Sequence, residues 1–406
     1  MIDILVAGGG YVGLSLAVAL KKAAPHLQIE LVDPAPADAW RRDERASALV
    51  AAARNLLDVL GVWDEIAPEA EPIRKMVITD SRTADPVRPV FLTFEGAGTT
   101  EDGAPFAYMV PNRAVTGSLV AAAEPLGLSI SWATSVVDFS TDPHASTIRL
   151  SNGETRKARL LVACDGVRSR LRDIAGIKTV RFDYGQSGIV TTVEHERPHE
   201  GTAEEHFLPA GPFATLPMRG NRSSLVWTER TEDANRLVES DDLVFEEELE
   251  RRFGHKLGPL RVVGGRRAFP LGLTLARSFV APRFALAGDA AHGIHPISGQ
   301  GLNLGFKDVA ALAETLIEAD RLGLDIGLLS VLERYETWRR FDTFRMGVTT
   351  DVLNRLFSND ITPVRVARDL GLGIVDRLPG LKSFFIRQAE GLAGSGQPRM
   401  LVGEAI

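Results

Sequence analysis

The stretch that decides the fold is Ile2-Asp3-Ile4-Leu5-Val6-Ala7-Gly8-Gly9-Gly10-Tyr11-Val12-Gly13, followed by Leu14-Ser15-Leu16-Ala17-Val18-Ala19-Leu20 and closed by Gln28-Ile29-Glu30-Leu31-Val32-Asp33. An apolar run of strand length enters a glycine turn. Apolar residues at helical spacing follow, and Pro25 stops them. A second short apolar run ends at Asp33. In Gly8-x-Gly10-x-x-Gly13 the first glycine permits the tight turn, the second lets the backbone approach a pyrophosphate, and the third lets the helix pack on the strand. The bare N–H groups and positive dipole end of the new helix attract phosphate. Asp33, at the end of the second strand, can accept hydrogen bonds from ribose hydroxyls. A glycine turn alone is weak evidence, because such turns also serve structure. Strand, turn, helix, strand and acid in this order predict dinucleotide binding.

Outward from this unit, 406 residues are too many for one compact core. A formal net charge of −7 argues against a nucleic-acid partner, which would need a basic face to displace counterions. Cys164 is the sole cysteine, so neither an intramolecular disulfide nor a cysteine metal cluster is expected. It reads as a small buried residue in a reducing compartment. The apolar N-terminus has no basic region before it and suits a buried strand better than a signal peptide. No stretch approaches the ~20 apolar residues that cross a bilayer. The expectation is a soluble cytoplasmic protein, with contact at the inner face of the membrane left open.

The rest of the chain reads as more α/β pattern around a β-rich insertion. A helix is expected over 46–60, strands over 76–79 and 90–94, and a helix over 113–123. Asn152-Gly153 marks a hairpin, since both residues tolerate positive φ. From 183 to 267 the pattern is mostly β. An apolar strand over 284–287 delivers Gly288-Asp289, and helix dominates from Gly301. The reading is an α/β chain. A discontinuous Rossmann-type nucleotide-binding domain spans 1–76, 107–182 and 268–346. An inserted β-sheet substrate domain spans 77–106 and 183–267, and a helical C-terminal region spans 347–406. In that last region Leu370, Leu372, Ile374 and Phe384 lie beside Arg365, Arg368, Arg377 and Lys382. This fits a membrane-surface helix or, more plainly, a helical pair packed on the nucleotide-binding domain.

Gly288-Asp289-Ala290-Ala291-His292, with Gly299-Gln300-Gly301-Leu302-Asn303 after it, forms a second glycine-rich turn into a helix. Asp289 at a strand end can bond sugar hydroxyls or can cap the local turn. The Gly299–Gly301 turn favours a ligand, because a helix starting there aims bare N–H groups at an anion such as a reduced flavin.

These motifs, with Ala163-Cys164-Asp165-Gly166-Val167-Arg168-Ser169 between them, resemble the group A flavin aromatic hydroxylases, the fold of para-hydroxybenzoate hydroxylase. Further stretches are similar to the ubiquinone-biosynthesis hydroxylases within that group. They are Asp43-Glu44-Arg45-Ala46, Pro111-Asn112-Arg113, Gly211-Pro212-Phe213, His295-Pro296 through Gly305, and Arg339-Arg340-Phe341-Asp342. Tyr11 departs from the pattern, where a smaller residue is usual, and could crowd the phosphate side of the loop. Cys164 also departs, where an alanine is common.

The resemblance implies FAD as cofactor, bound by Gly8, Gly10, Gly13, Asp33, Arg45, Arg113, Asp165, Gly288, Asp289, Gly299, Gln300, Gly301, Leu302 and Asn303. Arginine forks suit phosphate oxygens, although a lone arginine is otherwise a solvated ion pair. Asp165 would serve both FAD and nicotinamide binding, or else fix its own turn. His295 and Pro296 would lie at the flavin face, positioning rather than transferring protons. The implied reaction uses NAD(P)H to reduce FAD. O2 then adds at flavin carbon 4a, and the distal oxygen passes to the ring of a polyprenyl phenol in ubiquinone biosynthesis. Membership of a membrane-associated biosynthetic complex is a further implied partner. Two other readings remain: a reductase or dehydrogenase on the same fold, and a non-catalytic FAD-binding subunit.

Overall fold

The computed structural model describes residues 1–81, 88–95, 105, 107–294, 300–357 and 396–406. Among these residues the strands form three sheets.

The first sheet sets the nucleotide unit. Its spine is five parallel strands in the order Phe284–Leu286, Thr155–Ala163, Ile2–Ala7, Ile29–Val32 and Ser129–Ser131. Ile4, Leu5, Val6, Leu160, Leu161 and Val162 are fully buried. A parallel strand covered on both faces needs such unbroken apolar runs. Helix Tyr11–Ala23 and the long helix Gln300–Arg321 pack together on this sheet. The hairpin expected at Asn152-Gly153 joins Ser146–Leu150 to Thr155–Ala163.

The second and longest sheet is built from Lys75–Asp80, Val90–Glu95, Thr179–His195, Thr202–Leu208, Gly211–Met218, Arg222–Arg230 and Arg267–Ala276, with two short edge strands. Strand alternation gives it two different faces. Ile189, Phe213, Leu225 and Trp227 point to one face, where they form a core with Phe245 and Leu249 of helix Asp242–Phe253. Arg252 stacks over Trp227 at 4.5 Å, and Glu229 accepts from both the indole N–H and Arg252. Ala203, Leu216 and Met218 point to the opposite face. They pack with Ala107, Met109 and Ile73 of the third, small sheet, whose strands are Ala46–Val50, Glu71–Ile73 and Ala107–Pro111.

Three expectations differ from the structure. Residues 46–60 are not one helix. Ala46–Val50 is a strand paired with Ala107–Pro111, and the helix is Ala51–Val59. Burial of Leu49 and Val50 against a neighbouring strand outweighs the helical propensity of the alanines here, since tertiary context overrides intrinsic propensity. The boundaries at 182/183 and 267/268 cut the picture differently from the backbone. Thr179–His195 is one strand running through the first, and Arg267–Ala276 belongs entirely to the long sheet. The boundary at 346/347 falls inside helix Leu329–Phe357. The apolar-basic stretch over 365–387 lies outside the described residues. Residues 396–406 return to the nucleotide unit, where Met400 and Leu401 are buried and Leu401 accepts from Asn55.

Candidate cofactor and active site

In open parallel sheets ligands bind beyond the carboxyl ends of the strands. Four adjacent strands here end in Gly288-Asp289, Cys164-Asp165, Gly8 and Asp33, side by side. Segments near residues 10, 165 and 289 are therefore neighbours, although about 280 residues separate the first from the last.

Gly8 has φ +119°, and a Cβ there would stand 2.3 Å from the Cys164 carbonyl oxygen. A Cβ on Gly13 would stand 1.9 Å from the Gly8 carbonyl oxygen. These two glycines let the first helix start directly on its strand. Gly10 is different: it is exposed, and a Cβ would meet nothing. It stands at the helix N-terminus with no side-chain cap, so the first-turn N–H groups receive no side-chain acceptor from it. Val12 is the hub. A Cβ on Gly288 would come within 3.1 Å of it, and one on Gly305 within 2.7 Å, so the two glycine turns and both helices close on one side chain.

The acids are held in distinct ways. Asp33 accepts from the Gly9 N–H at 2.6 Å and the Ala35 N–H at 2.7 Å, which fixes it beside the glycine loop. Asp165 accepts from the Leu171 N–H through Oδ2, but its other oxygen, Oδ1, is buried with no partner among the described residues. Burial pushes the Asp165 carboxyl up, against hydrogen bonds from Ser169 and Leu171. Asp289 is exposed at the end of its strand, between buried Gly288 and Ala290. Burial of its surroundings raises it, and His292 and Arg45 pull it back. It does not cap a helix by side chain; only a short 3-10 turn, Gly288–Ala290, is present. Buried Arg172 donates to the Ala290 and Val167 carbonyls, at 2.8 and 3.1 Å. It ties the Asp289 and Asp165 loops together.

The other expected residues make the following contacts. Arg45 makes a two-pronged bond to Asp43, both contacts 2.8 Å. With Glu44 it walls a small pocket whose far side is Val190, Thr192 and Arg267 of the long sheet. Arg113 is exposed and paired with Glu69 at 2.6 Å. Asn303 bonds the Ala48 carbonyl and the Val50 N–H, fixing the long helix to the small sheet. Leu302 is buried in the main core. Gly301 stands in the first turn of the helix that Gln300 opens. His295, Pro296 and Gly299 lie outside the described residues. Tyr11 packs on Phe306 with ring centroids 6.3 Å apart. Burial, with Asp289 nearby, pushes its phenol up to about 12, so it stays protonated. Burial also raises the Cys164 thiol, which removes it as a nucleophile at neutral pH.

Sequence reading misses one cluster beneath the crevice. Fully buried Asp308 accepts from the Gly288 N–H at 2.9 Å, from His292 Nε2 at 2.5 Å and from Arg339 Nε at 2.8 Å. Burial alone would raise this carboxyl, but His292 and Arg339 overcome it and hold it low. The available signal was Lys307-Asp308 set between the apolar residues Phe306 and Val309 of the helix.

The uncapped helix, the open face at Gly10 and the unpartnered Asp165 oxygen form a polar cradle that fits a dinucleotide cofactor. Residues 1–340 match the FAD binding domain family. Among known proteins, the ubiquinone hydroxylase UbiL of Rhodospirillum rubrum is 46% identical over 405 residues, covering 99% of this chain and 92% of that protein. The 3-demethoxyubiquinol 3-hydroxylase of Escherichia coli is 34% identical, covering 96% and 98%. The p-nitrophenol 4-monooxygenase of Pseudomonas putida superposes with a TM-score of 0.80 at 21% identity, covering 98% of this chain and 99% of the other, a likeness of fold. The chain belongs to the FAD-binding family that contains the flavin hydroxylases of ubiquinone biosynthesis.

Proposed function

We propose that this protein is an FAD-dependent monooxygenase that hydroxylates the aromatic ring of a polyprenyl phenol in ubiquinone biosynthesis, using NAD(P)H and O2. The observation that carries this reading is the row of four strand ends, three bearing acids, over an uncapped helix, in a chain that matches ubiquinone hydroxylases from end to end. Bound FAD supplies the electron transfer to O2 that makes an oxygen atom electrophilic toward a phenol ring. The chain's residues bind, orient and shield. First-turn N–H groups of helix Tyr11–Ala23 take the pyrophosphate. Asp33 takes a ribose hydroxyl. The free Asp165 oxygen accepts a hydrogen bond from the cofactor. Arg172 keeps the Asp165 and Asp289 loops at fixed separation. The long sheet covers the reacting ring and keeps water out, which prevents useless release of hydrogen peroxide.

No described helix is long and apolar enough to cross a membrane. A polyprenyl tail nonetheless partitions into lipid, so the protein meets its substrate at a membrane surface or through a biosynthetic complex.

The test is turnover under isotopically labelled O2 with the purified yellow protein, NADH or NADPH, and a 2-prenylphenol. One labelled oxygen in the product is the expected result. NAD(P)H oxidation with no label in the product identifies a reductase instead. A colourless protein that takes up no flavin removes the reading altogether.

A further inference from the structure

Strand Thr202–Leu208 carries two adjacent glutamates with opposite fates. Glu204 points to the helical face of the long sheet and pairs with Lys256. His206, on that same face, bonds Thr79 and Ser81. Glu205 points the other way. Register places it in a single cross-strand row, Ile78–Glu205–Ala214–Val226–Val190–Arg267, on the face turned toward the nucleotide unit. Two residues back along the strand, Ala203 packs with Ala107 and Met109 of the small sheet. At the other end of the row, Val190 and Arg267 line the pocket closed by Arg45. Glu205 is 5% exposed, and its Oε1 has no partner among the described residues.

A carboxyl stranded this way costs free energy even when neutral, and more when charged. Its immediate partners Ile78 and Ala214, and the small-sheet residues Ala46, Ala48, Ile73 and Met109, bear no titratable group. Asp80, two residues beyond Ile78, is the ionisable group sharing this face on the adjacent strand. Burial alone pushes Glu205 up to about 8. Nothing in the sheet explains the carboxyl structurally, since an apolar residue would pack there at lower cost.

We infer that Glu205 binds the ring hydroxyl of the substrate and accepts its proton as the ring is attacked. The inference rests on the hydroxylase reading above. As a ring electron pair forms the new C–O bond, the bond holding the transferred oxygen to its O2-derived donor breaks and leaves its electron pair on the donor; the phenolic O–H bond breaks at the same time and its proton moves to a Glu205 oxygen. The oxygenated ring carbon then loses its hydrogen to water as a proton. Glu205 returns its proton to the ring oxygen, which restores the aromatic ring. Only ionised Glu205 can accept, so turnover rises with pH through the range in which it ionises.

The test compares wild type with Glu205→Gln and Glu205→Asp as FAD-loaded full-length proteins on a 2-prenylphenol. FAD stoichiometry serves as the folding control. Glu205→Gln is expected to lower kcat for hydroxylation about a hundredfold and to abolish the rising alkaline limb. Glu205→Asp retains the limb at a shifted midpoint. Should Glu205→Gln not fold, the infrared band of the buried wild-type carboxyl decides: it must shift on adding the phenol. Wild-type hydroxylation with an unaltered rate and pH profile in Glu205→Gln, or a carboxyl band indifferent to phenol, overturns the role of Glu205 alone. A wild-type protein that hydroxylates no phenol overturns the hydroxylase reading and this inference together.

Discussion

The crevice at the strand ends and the inner face of the long sheet both hold buried acids, but the two regions handle charge in opposite ways. Below the crevice, Asp308 and Asp342 are surrounded by His292, Arg339 and Lys307, and stay ionised. On the sheet face, Glu205 has no cationic partner among the described residues and holds its proton. The first region is organised to keep a fixed shape under a bound anion. The second keeps one acid poised to change state. A cofactor site that must not move and a reaction site that must exchange protons call for these different surroundings.

The comparison breaks most visibly at Asp308. Asp308→Asn breaks one of the two ion pairs of buried Arg339, leaving Asp342 as its remaining counter-charge, and weakens the anchor of Gly288. The expected cost is about 3–5 kcal/mol, read as a drop in thermal midpoint with loss of bound flavin. An unchanged midpoint would mean that the cluster is not what holds the crevice.

Gly13→Ala comes next. Its added carbon collides with the Gly8 carbonyl at 1.9 Å, so helix and strand must separate. The expected loss is about 1–3 kcal/mol of stability, together with most of the bound FAD, seen in the visible spectrum.

The two regions also predict opposite pH dependence. Burial alone would raise Asp342, but Lys307 and Arg339 overcome it and hold the carboxyl at about 2. A depressed folded pKa stabilises above the unfolded value of about 3.9, and that stability is lost as pH falls toward 2. Asp342→Asn should therefore flatten the acid limb of an unfolding curve, removing about 2 kcal/mol or less. Glu205 has the raised folded pKa of an acid. Its favourable contribution is complete below the unfolded value of about 4.3 and declines as pH rises to about 8, on the order of 1.4 kcal/mol per pH unit. Glu205→Gln should thus gain stability over wild type at pH 8 and little at pH 4. Equal gains at both would mean that the carboxyl is not protonated in the folded state.

The smallest effect is expected at Arg113. As an exposed partner of Glu69 it contributes under about 1 kcal/mol, so Arg113→Ala should change FAD affinity less than about fivefold. A loss of a hundredfold would place its guanidinium on the cofactor.

Motifs that work through backbone are legible in the chain alone. Gly8 and Gly13 are required by close approach of main chain and Gly288 by its positive φ beside the Val12 side chain, and such requirements leave a fixed spacing in the chain. Asp33, Asp165 and Asp289 follow apolar strands, so their places at strand ends can be read directly. The Ala46–Val50 strand is not legible, because its pairing partner lies some sixty residues downstream at Ala107–Pro111. Asp308 is hidden because its partners are 16 residues before it and 31 after it, on separate elements.

The chain by itself determined the nucleotide fold, the flavin family and the row of acids, because helix starts, glycine turns and strand ends are local events. Only the tertiary structure decided which of Glu204 and Glu205 faces inward. Successive strand residues point to opposite faces, and a slip of one residue would exchange them. It likewise decided that Arg45 and Arg113 rest against carboxylates, since an arginine's partner is chosen by whatever the fold brings within its reach.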